Sequence, residues 1–435
     1  MSANMREIGI FVCNFNKAAM VVKCVKHILK QNCRNFDIYV VDNASTDESV
    51  SRLRETYGEA VTILENKENL GGSGGFGRGI REAIARGYKY FMLLDNDAFM
   101  EENVVAELYE YMENHHDVGI CGAKTAYWIE PDKIQDFGGR IDYENFHWGG
   151  VFGGSKDLKG DVVLECDYVA SCCLMARGEA VNVFGGFREE NFIYWDDIEW
   201  CTKCRRAGYK VVVNGRAKAL HDMSGASVRN MFLKYYANRN RCAFFSRYLP
   251  EEQIEIFYQS ITKTFYTEIY GCLAKCKYGT AQTLLNAWED FINGITGKAE
   301  KRIVPYVVGT DKLAERLHSL DSVLIYLKNN DAISQGVLAS ILPYILQCNS
   351  EISVKVTLKP TKEEINRHSL ILQPCEHVTK IKDNVLPIVY VDRWKNAVID
   401  EADYKYFSDF DNALALFRQK YRPLFNKRVK ELRGL

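Results

Sequence analysis

The sequence predicts an α/β protein built on a doubly wound, mixed sheet, followed by a helical and then a mixed α/β C-terminal region. Three observations carry this. In the first hundred residues short, β-rich apolar runs alternate with helical patterns, the signature of βαβ units. Between residues 118 and 192 the pattern turns irregular and rich in glycine and aromatics, as a partly antiparallel extension would be. After Met231 long, aromatic-rich helical stretches take over.

Strands are expected at residues 8–13, 37–41, 61–64 and 90–94, with helices at 18–31, 45–57 and 76–87 between them. The second helix opens with Ser45 and Thr46 before the acidic pair Asp47 and Glu48, as helix N-termini favour. Further strands are expected at 118–123 and 162–169. A helix at 196–208, closed by its glycine, leads into a strand at 210–213 and a loop holding His221. Phe257, Tyr258, Phe265, Tyr266 and Tyr270 then read as packing residues of helices that run to about residue 303. Pro250 places a boundary that divides the chain into residues 1–248 and 249–435. Beyond 317 come a helical stretch and strands at 352–358 and 388–391. The last segment, from 411, has seven basic residues and one acidic residue after Phe417.

Of the 435 residues 47% are apolar and 26% charged, enough material for more than one core, which excludes disordered, collagen-like and small disulfide-stapled classes. Lysine and arginine number 56 against 57 acidic residues, so no global basic field draws the chain onto nucleic acid. The apolar run at 8–13 is too short for a secretory signal, and the longest apolar stretch, 337–346, is short for a membrane span and broken by Pro343. A cytoplasmic location is expected, with the fourteen cysteines as reduced, mostly buried thiols. Cys201 and Cys204 have half the spacing of a zinc site but lack a matching second pair and sit in an expected helix.

Ligands of open α/β sheets sit beyond the carboxyl ends of the strands. There the sequence has Asn14-Phe15-Asn16, then Asp42-Asn43-Ala44-Ser45, then Asn69-Leu70-Gly71-Gly72-Ser73-Gly74-Gly75, then Asp95-Asn96-Asp97. The glycines can offer backbone N–H groups to phosphate, and the two aspartates can offer hard oxygens to a divalent cation and to a sugar. Each piece alone also reads as an ordinary turn; together at one sheet edge they suit a nucleotide diphosphate. Gly72 to Gly77 also satisfies G-x-G-x-x-G, with Asp95 eighteen residues on, so an NAD-dependent oxidoreductase is the alternative from another class. Against it, the polar residues 65–69 separate the glycines from their strand.

A second constellation is Trp195-Asp196-Asp197-Ile198-Glu199-Trp200, three carboxylates in four positions at a helix start between two indoles. The helix dipole favours ionised carboxylates there, whereas apolar rings raise their pKa, a balance that suits a general base. Trp195 and Trp200 can stack on sugar faces or simply pack.

These segments, in this order, resemble the nucleotide-sugar domain of family 2 glycosyltransferases of the GT-A fold over roughly residues 6–248. The resemblance implies that Asp42, Asn43 and the Asn14 to Asn16 segment hold the donor's base and ribose, that Gly71 and Gly72 meet the donor, and that Asp95-Asn96-Asp97 is the DXD-type motif. The Trp-Asp-Asp segment is most similar to that of bacterial galactofuranosyltransferases. This implies Asp197 as base, Asp196 with the flanking tryptophans toward the acceptor, and His221 beside Asp97 on Mn²⁺ or Mg²⁺. The activity implied is inverting transfer of galactofuranose from UDP-galactofuranose onto a glycan or lipid-linked glycan of a bacterial surface polysaccharide, with dTDP-rhamnose-dependent transfer as the alternative. Arg239 or Arg241 would approach the donor diphosphate, or the stretch 235–241 forms a solvated helical face. The expected partners extend to an anionic membrane, touched by Arg418, Lys420, Arg422, Lys427, Arg428, Lys430 and Arg433, and to further copies of the chain in a homo-oligomer.

Overall fold

The computed structural model describes residues 6–157, 162–222, 231–307, 309, 311–382 and 387–434. Residues 1–5 and Leu435 lie outside them. In chain order the elements are β1 (Ile8–Asn14), α1 (Ala18–Ile28), β2 (Phe36–Asp42), α2 (Ser49–Tyr57), β3 (Thr62–Glu65), α3 (Gly71–Ala85), β4 (Tyr90–Asp95), β5 (Ala98–Met100), α4 (Val104–Asn114) and β6 (Val118–Tyr127). There follow β7 (Ile134–Asp136), β8 (Gly139–Asp142), β9 (His147–Gly150), β10 (Val163–Glu165), β11 (Cys173–Arg177), α5 (Gly178–Phe184), α6 (Asp196–Arg206), β12 (Lys210–His221), α7 (Met231–Tyr248), α8 (Ile254–Ala274) and α9 (Tyr278–Ile292). The remainder comprises α10 (Lys312–His318), β13 (Ser322–Tyr326), α11 (Ala332–Cys348), β14 (Ser353–Thr357), α12 (Lys362–Arg367), β15 (Leu370–Pro374), β16 (Ile388–Val391), β17 (Ala397–Val398), α13 (Glu401–Ser408) and α14 (Phe410–Arg433).

The chain forms two compact units, residues 1–257 with 289–303 and 431–435, and residues 258–288 with 304–430. A single cut after residue 248 is therefore replaced by a division in which later segments return to the first unit. Side chains explain the return. Tyr235 donates to Asp290, the Ala299 N–H donates to Tyr236, and Arg433 donates to the carbonyls of Ser246 and Leu249.

The first unit holds a ten-stranded sheet in the order β10-β12-β6-β11-β4-β1-β2-β3, with β5 paired to β12 and β7 to β6. β1, β2, β3 and β4 are parallel, whereas β11 runs antiparallel between β4 and β6, giving the mixed, doubly wound sheet expected. The unbroken apolar run of β1 follows from burial on both faces: Ile8, Ile10, Phe11 and Val12 are all fully buried. Two expectations shift. β12 does not stop at Val213 but continues to His221, because the turn-like Asn214-Gly215-Arg216 is absorbed as a register shift between Asn214 and Lys218. The strand expected at 162–169 is only Val163–Glu165.

The second unit holds the sheet β14-β13-β15-β16-β17, parallel except for β17. Its core of Leu313, Val323, Ile325, Val337, Ile341 and Leu372 is separate from that of the first unit. Pro343 lies inside α11 rather than ending it. Among the described residues no helix is long and apolar enough to cross a membrane. Several basic residues of α14 are turned to protein partners: Arg418 donates to Thr262 and the Gln259 carbonyl, Arg422 lies over the Tyr258 ring, and Arg433 is held as described above.

Candidate active site

Strand pairing brings distant carboxylates together. β1, β2 and β4 end at one edge, with Asn14 opposite Asp42 and Cys13 opposite Asp95. The chain turns at Asn96 and Asp97 into β5, whose pairing with β12 sets Ala98 opposite His221. Ligand atoms of Asp95, Asp97 and His221 consequently lie within 4.8 Å of one another. His221 Nε2 is 3.3 Å from Asp97 Oδ1 and 4.0 Å from Asp95 Oδ2, and its Nδ1 is 3.1 Å from Gln135 Oε1. Gln135 accepts there through that oxygen, so Nδ1 carries a proton; in the charged ring Nε2 donates to Asp97, and on giving up that second proton Nε2 is free to ligate a cation.

Lys17 is ion-paired to Asp97, so the cluster already attracts a cation. Burial, then the charge of Asp97, raises Asp95 to about 6. Burial alone would raise Asp97 too, but hydrogen bonds and charge from His221 and Lys17 hold it below the usual range. Burial pulls His221 down, yet the two aspartates leave it net raised. Two carboxylates and one imidazole, mutually repelling without positive charge, form a donor set that can hold a divalent metal such as Mn²⁺ or Mg²⁺.

The residues expected at the donor form a hydrogen-bonded floor beside this cluster. Buried Asn14 donates to Asp42 Oδ1 (2.9 Å) and accepts from Asn96 (2.8 Å), while Asp42 Oδ2 accepts the Ser45 N–H (2.8 Å). Asn16, at φ 49°, accepts the Thr46 N–H at 2.7 Å. Asn43 is buried and donates to the Gly71 carbonyl at 2.7 Å. The glycines are not a loop: they form the first turns of α3. Gly71, at φ +73°, has its α-carbon so close to Phe192 that a Cβ would sit 2.0 Å from that carbonyl oxygen. Gly71 thus packs a neighbouring segment instead of facing a donor, and Gly72 stands beside it with only Ile193 within reach of a Cβ. This helical placement also removes the strand–loop–helix turn that a dinucleotide fingerprint needs.

That neighbouring segment leads to the Asp196–Asp197 pair. Phe192, Tyr194 and Trp195 all have left-handed backbone (φ 65°, 65° and 68°), a costly conformation for non-glycine residues. It is held from α7: Asn240 Nδ2 donates to the carbonyls of Asn191, Ile193 and Tyr194 at 2.9, 2.9 and 3.0 Å, and Arg239 donates to that of Asn191 at 3.0 Å. Arg239 is therefore a backbone clamp and Arg241 donates to the Phe146 carbonyl, so neither faces a diphosphate. Buried Asp196 accepts from Ser73 Oγ at 2.7 Å, and burial raises its pKa. Asp197 is half-buried, and burial followed by the charge of Asp196 raises it to about 8.

The tryptophans are packing residues. Trp195 is 3% exposed against Phe244 and Phe245. Trp200 is fully buried among Phe91, Phe184 and Phe187, with its indole N–H given to the Gly185 carbonyl. Neither leaves a ring face for an acceptor sugar. Glu199 is equally structural, buried against Arg188, Arg247 and Tyr248. Cys201 and Cys204 are buried thiols on α6.

Sequence reasoning missed Lys17, which follows Asn16 at the same strand edge and was open to the same rule. It also missed Gln135 and Trp148, for which the irregular 128–152 stretch gives no periodic signal. Trp148 is 48% exposed on β9 and meets Tyr168 edge-on; the buried Tyr168 hydroxyl has no hydrogen-bond partner among the described residues.

Residues 9–150 match the family model described as glycosyl transferase family 2, and the chain carries a domain of that family. The sheet of this domain is mixed, as expected. Glycosyltransferase GlyG of Streptococcus pneumoniae serotype 4 is 32% identical over 108 residues, 24% of this chain and 35% of that protein. The dTDP-rhamnosyl transferase RfbF of Shigella flexneri is 24% identical over 207 residues, 47% of this chain and 65% of that one. The chain thus spans only about a third of GlyG and under two thirds of RfbF. Among solved structures, S. aureus TarS 1-349 in complex with UDP-GlcNAc aligns at a TM-score of 0.44 and 15% identity, over 79% of this chain and 88% of that one.

Proposed function

We propose that this protein is a metal-dependent, inverting glycosyltransferase that moves a sugar from a nucleotide diphosphate onto an acceptor hydroxyl. The observation that supports it most is the meeting of Asp95, Asp97 and His221 at the sheet edge where Asn14 and Asp42 also end. Asp95, Asp97 and His221 would hold Mn²⁺ or Mg²⁺, which supplies positive charge against a leaving diphosphate. Asn14, Asn16, Asp42, Asn43 and Asn96 would line the base and ribose. Asp197, a half-buried carboxylate with a raised pKa, would take the proton of the acceptor hydroxyl as its oxygen bonds to the anomeric carbon; the bond to the diphosphate breaks and its oxygen keeps the electron pair. Asp196, fixed by Ser73, would position Asp197 and the acceptor. Trp148, the exposed indole nearest Tyr168, takes over the acceptor-stacking role first given to Trp195 and Trp200.

Galactofuranose from UDP-galactofuranose is the first reading of the donor, onto a glycan or lipid-linked glycan of a surface polysaccharide. The alignment with the rhamnosyl transferase RfbF over 47% of the chain favours dTDP-rhamnose as the second. Titrating UDP, dTDP and NAD⁺ with and without Mn²⁺ separates the cases. Metal-dependent UDP binding, weakened at least tenfold by Asp97→Asn, is expected; dTDP preference moves the donor to rhamnose. Metal-free NAD⁺ binding with no response to UDP or dTDP would overturn the transferase reading.

A further inference from the structure

The second unit has a strand order in which β13 comes first, β14 lies on one side and β15 then β16 on the other. All four strands are parallel, so their carboxyl ends share one edge and the topology reverses between β13 and β15. Crevices at such switch points are where open α/β sheets bind ligands. A depression of about 340 Å³ lies there, lined by Lys328 after β13 and by Glu376, His377, Lys380 and Lys382 after β15. It shares Glu376, His377 and Lys380 with a larger cleft of about 720 Å³ that reaches Trp394 after β16 and Lys263 on α8. Volumes of this order suit small ligands.

The chemistry is that of an anion site. The inner depression has three lysines and one acid, and that acid is paired with Lys380 at 2.7 Å. Lys328 and Lys382 have no carboxylate partner among the described residues. His377 Nδ1 lies 2.7 Å from Thr379 Oγ1 and 3.3 Å from the Thr379 N–H, which must donate to it; the neutral ring therefore carries its proton on Nε2. The Trp394 ring, 47% exposed, stands 5.3 Å from His377 and offers a flat wall beside the charges. Buried Asp392 fixes this rim by accepting the N–H groups of Trp394 and Asn396 at 3.0 and 3.1 Å.

We propose that this crevice of the second unit binds a phosphate-bearing ligand, with the phosphate held by Lys328, Lys380, Lys382 and His377 and the remainder of the ligand along Trp394. The proposal is independent of the glycosyltransferase reading. A free phosphate compound and a lipid phosphate headgroup share this chemistry, and the test separates them. Inorganic pyrophosphate is titrated into the full chain in EDTA, which leaves the first unit's carboxylate cluster without its metal, while Trp394 fluorescence is followed against a Trp394→Phe control. In parallel, the chain is sedimented with phosphatidylcholine vesicles with and without 20% phosphatidic acid. Saturable pyrophosphate binding, weakened at least tenfold by Lys328→Glu/Lys382→Glu and unchanged by Asp97→Asn, is expected and marks a soluble ligand. Sedimentation with phosphatidic acid alone, lost in the same double variant, also supports the site and assigns it to a headgroup. Both lysines are exposed, and a circular dichroism melt of the double variant verifies that it folds. If the folded double variant matches the unsubstituted chain in both assays, or neither probe binds, the proposal falls.

Discussion

At Asp197 two influences act in the same direction, burial first and the adjacent Asp196 second, and raise the carboxyl from the ordinary carboxylate range to about 8. The folded chain therefore holds a proton there that the unfolded chain releases near pH 4. Below about pH 4 both states are protonated and Asp197 costs nothing; between about 4 and 8 the cost to folding grows with pH, then levels off. Asp197→Asn, which cannot ionise, is expected to raise Tm relative to the unsubstituted chain at pH 8, with the gap closing toward pH 4. Its transfer rate should fall by about 10² to 10⁴ while UDP affinity stays within about twofold. For the unsubstituted enzyme kcat/KM should climb between pH 6 and 9 as the base is freed. Transfer retained in the variant, or a rate that falls over that range, contradicts Asp197 as base. The acidic helix start at Asp196 and Asp197 was legible because carboxylates there have a physical meaning before any coordinates exist; Gln135 was not, because its place depends on which edge β7 pairs with.

Among the elements, the least regular is the segment before α6, where three left-handed residues stand almost in succession. Such residues cost about 1–3 kcal/mol each, so the surroundings must impose them. Two elements do so. Gly71 at the start of α3 presses on the Phe192 carbonyl where no Cβ fits, and Asn240 on α7 gathers the carbonyls of Asn191, Ile193 and Tyr194 with one amide. In sequence the glycine run reads as a phosphate loop and α7 as a solvated face, because each is half of a contact whose other half lies far along the chain. The pairing is tested by Asn240→Asp, which sets a carboxylate oxygen against carbonyl oxygens. We expect a loss of about 2–4 kcal/mol, seen as a lower Tm, since buried acceptors lose their donor. Transfer should fall more steeply than UDP binding, because the segment carries Asp196 and Asp197 and not the donor floor. Equal stability in the variant means that Asn240 is not the clamp.

Over the whole molecule, two separate cores were legible to different degrees. The first unit's parallel strands alternate with long amphipathic helices, and each ends in a polar turn, so period and punctuation agree. In the second unit β13 and β15 are five residues each and went unrecognised, because apolar runs this short read equally as helix. The division has a thermodynamic consequence. A ligand that binds only one folded unit stabilises that unit by mass action, about 2.7 kcal/mol at a hundredfold excess over Kd. Mn²⁺ with UDP should therefore shift upward the calorimetric transition of the unit that contains Asp95, Asp97 and His221, and leave the other transition where it was. His221→Ala and Asp97→Asn should each abolish most of the shift, the second more completely, since it removes an anionic oxygen donor and not a neutral imidazole. Lys17→Ala should do the opposite and enlarge the shift at a fixed Mn²⁺ concentration, because the ammonium and the metal compete for the same carboxylate. A shift that survives Asp97→Asn would place the metal elsewhere and leave the Asp95–Asp97–His221 cluster without its proposed role.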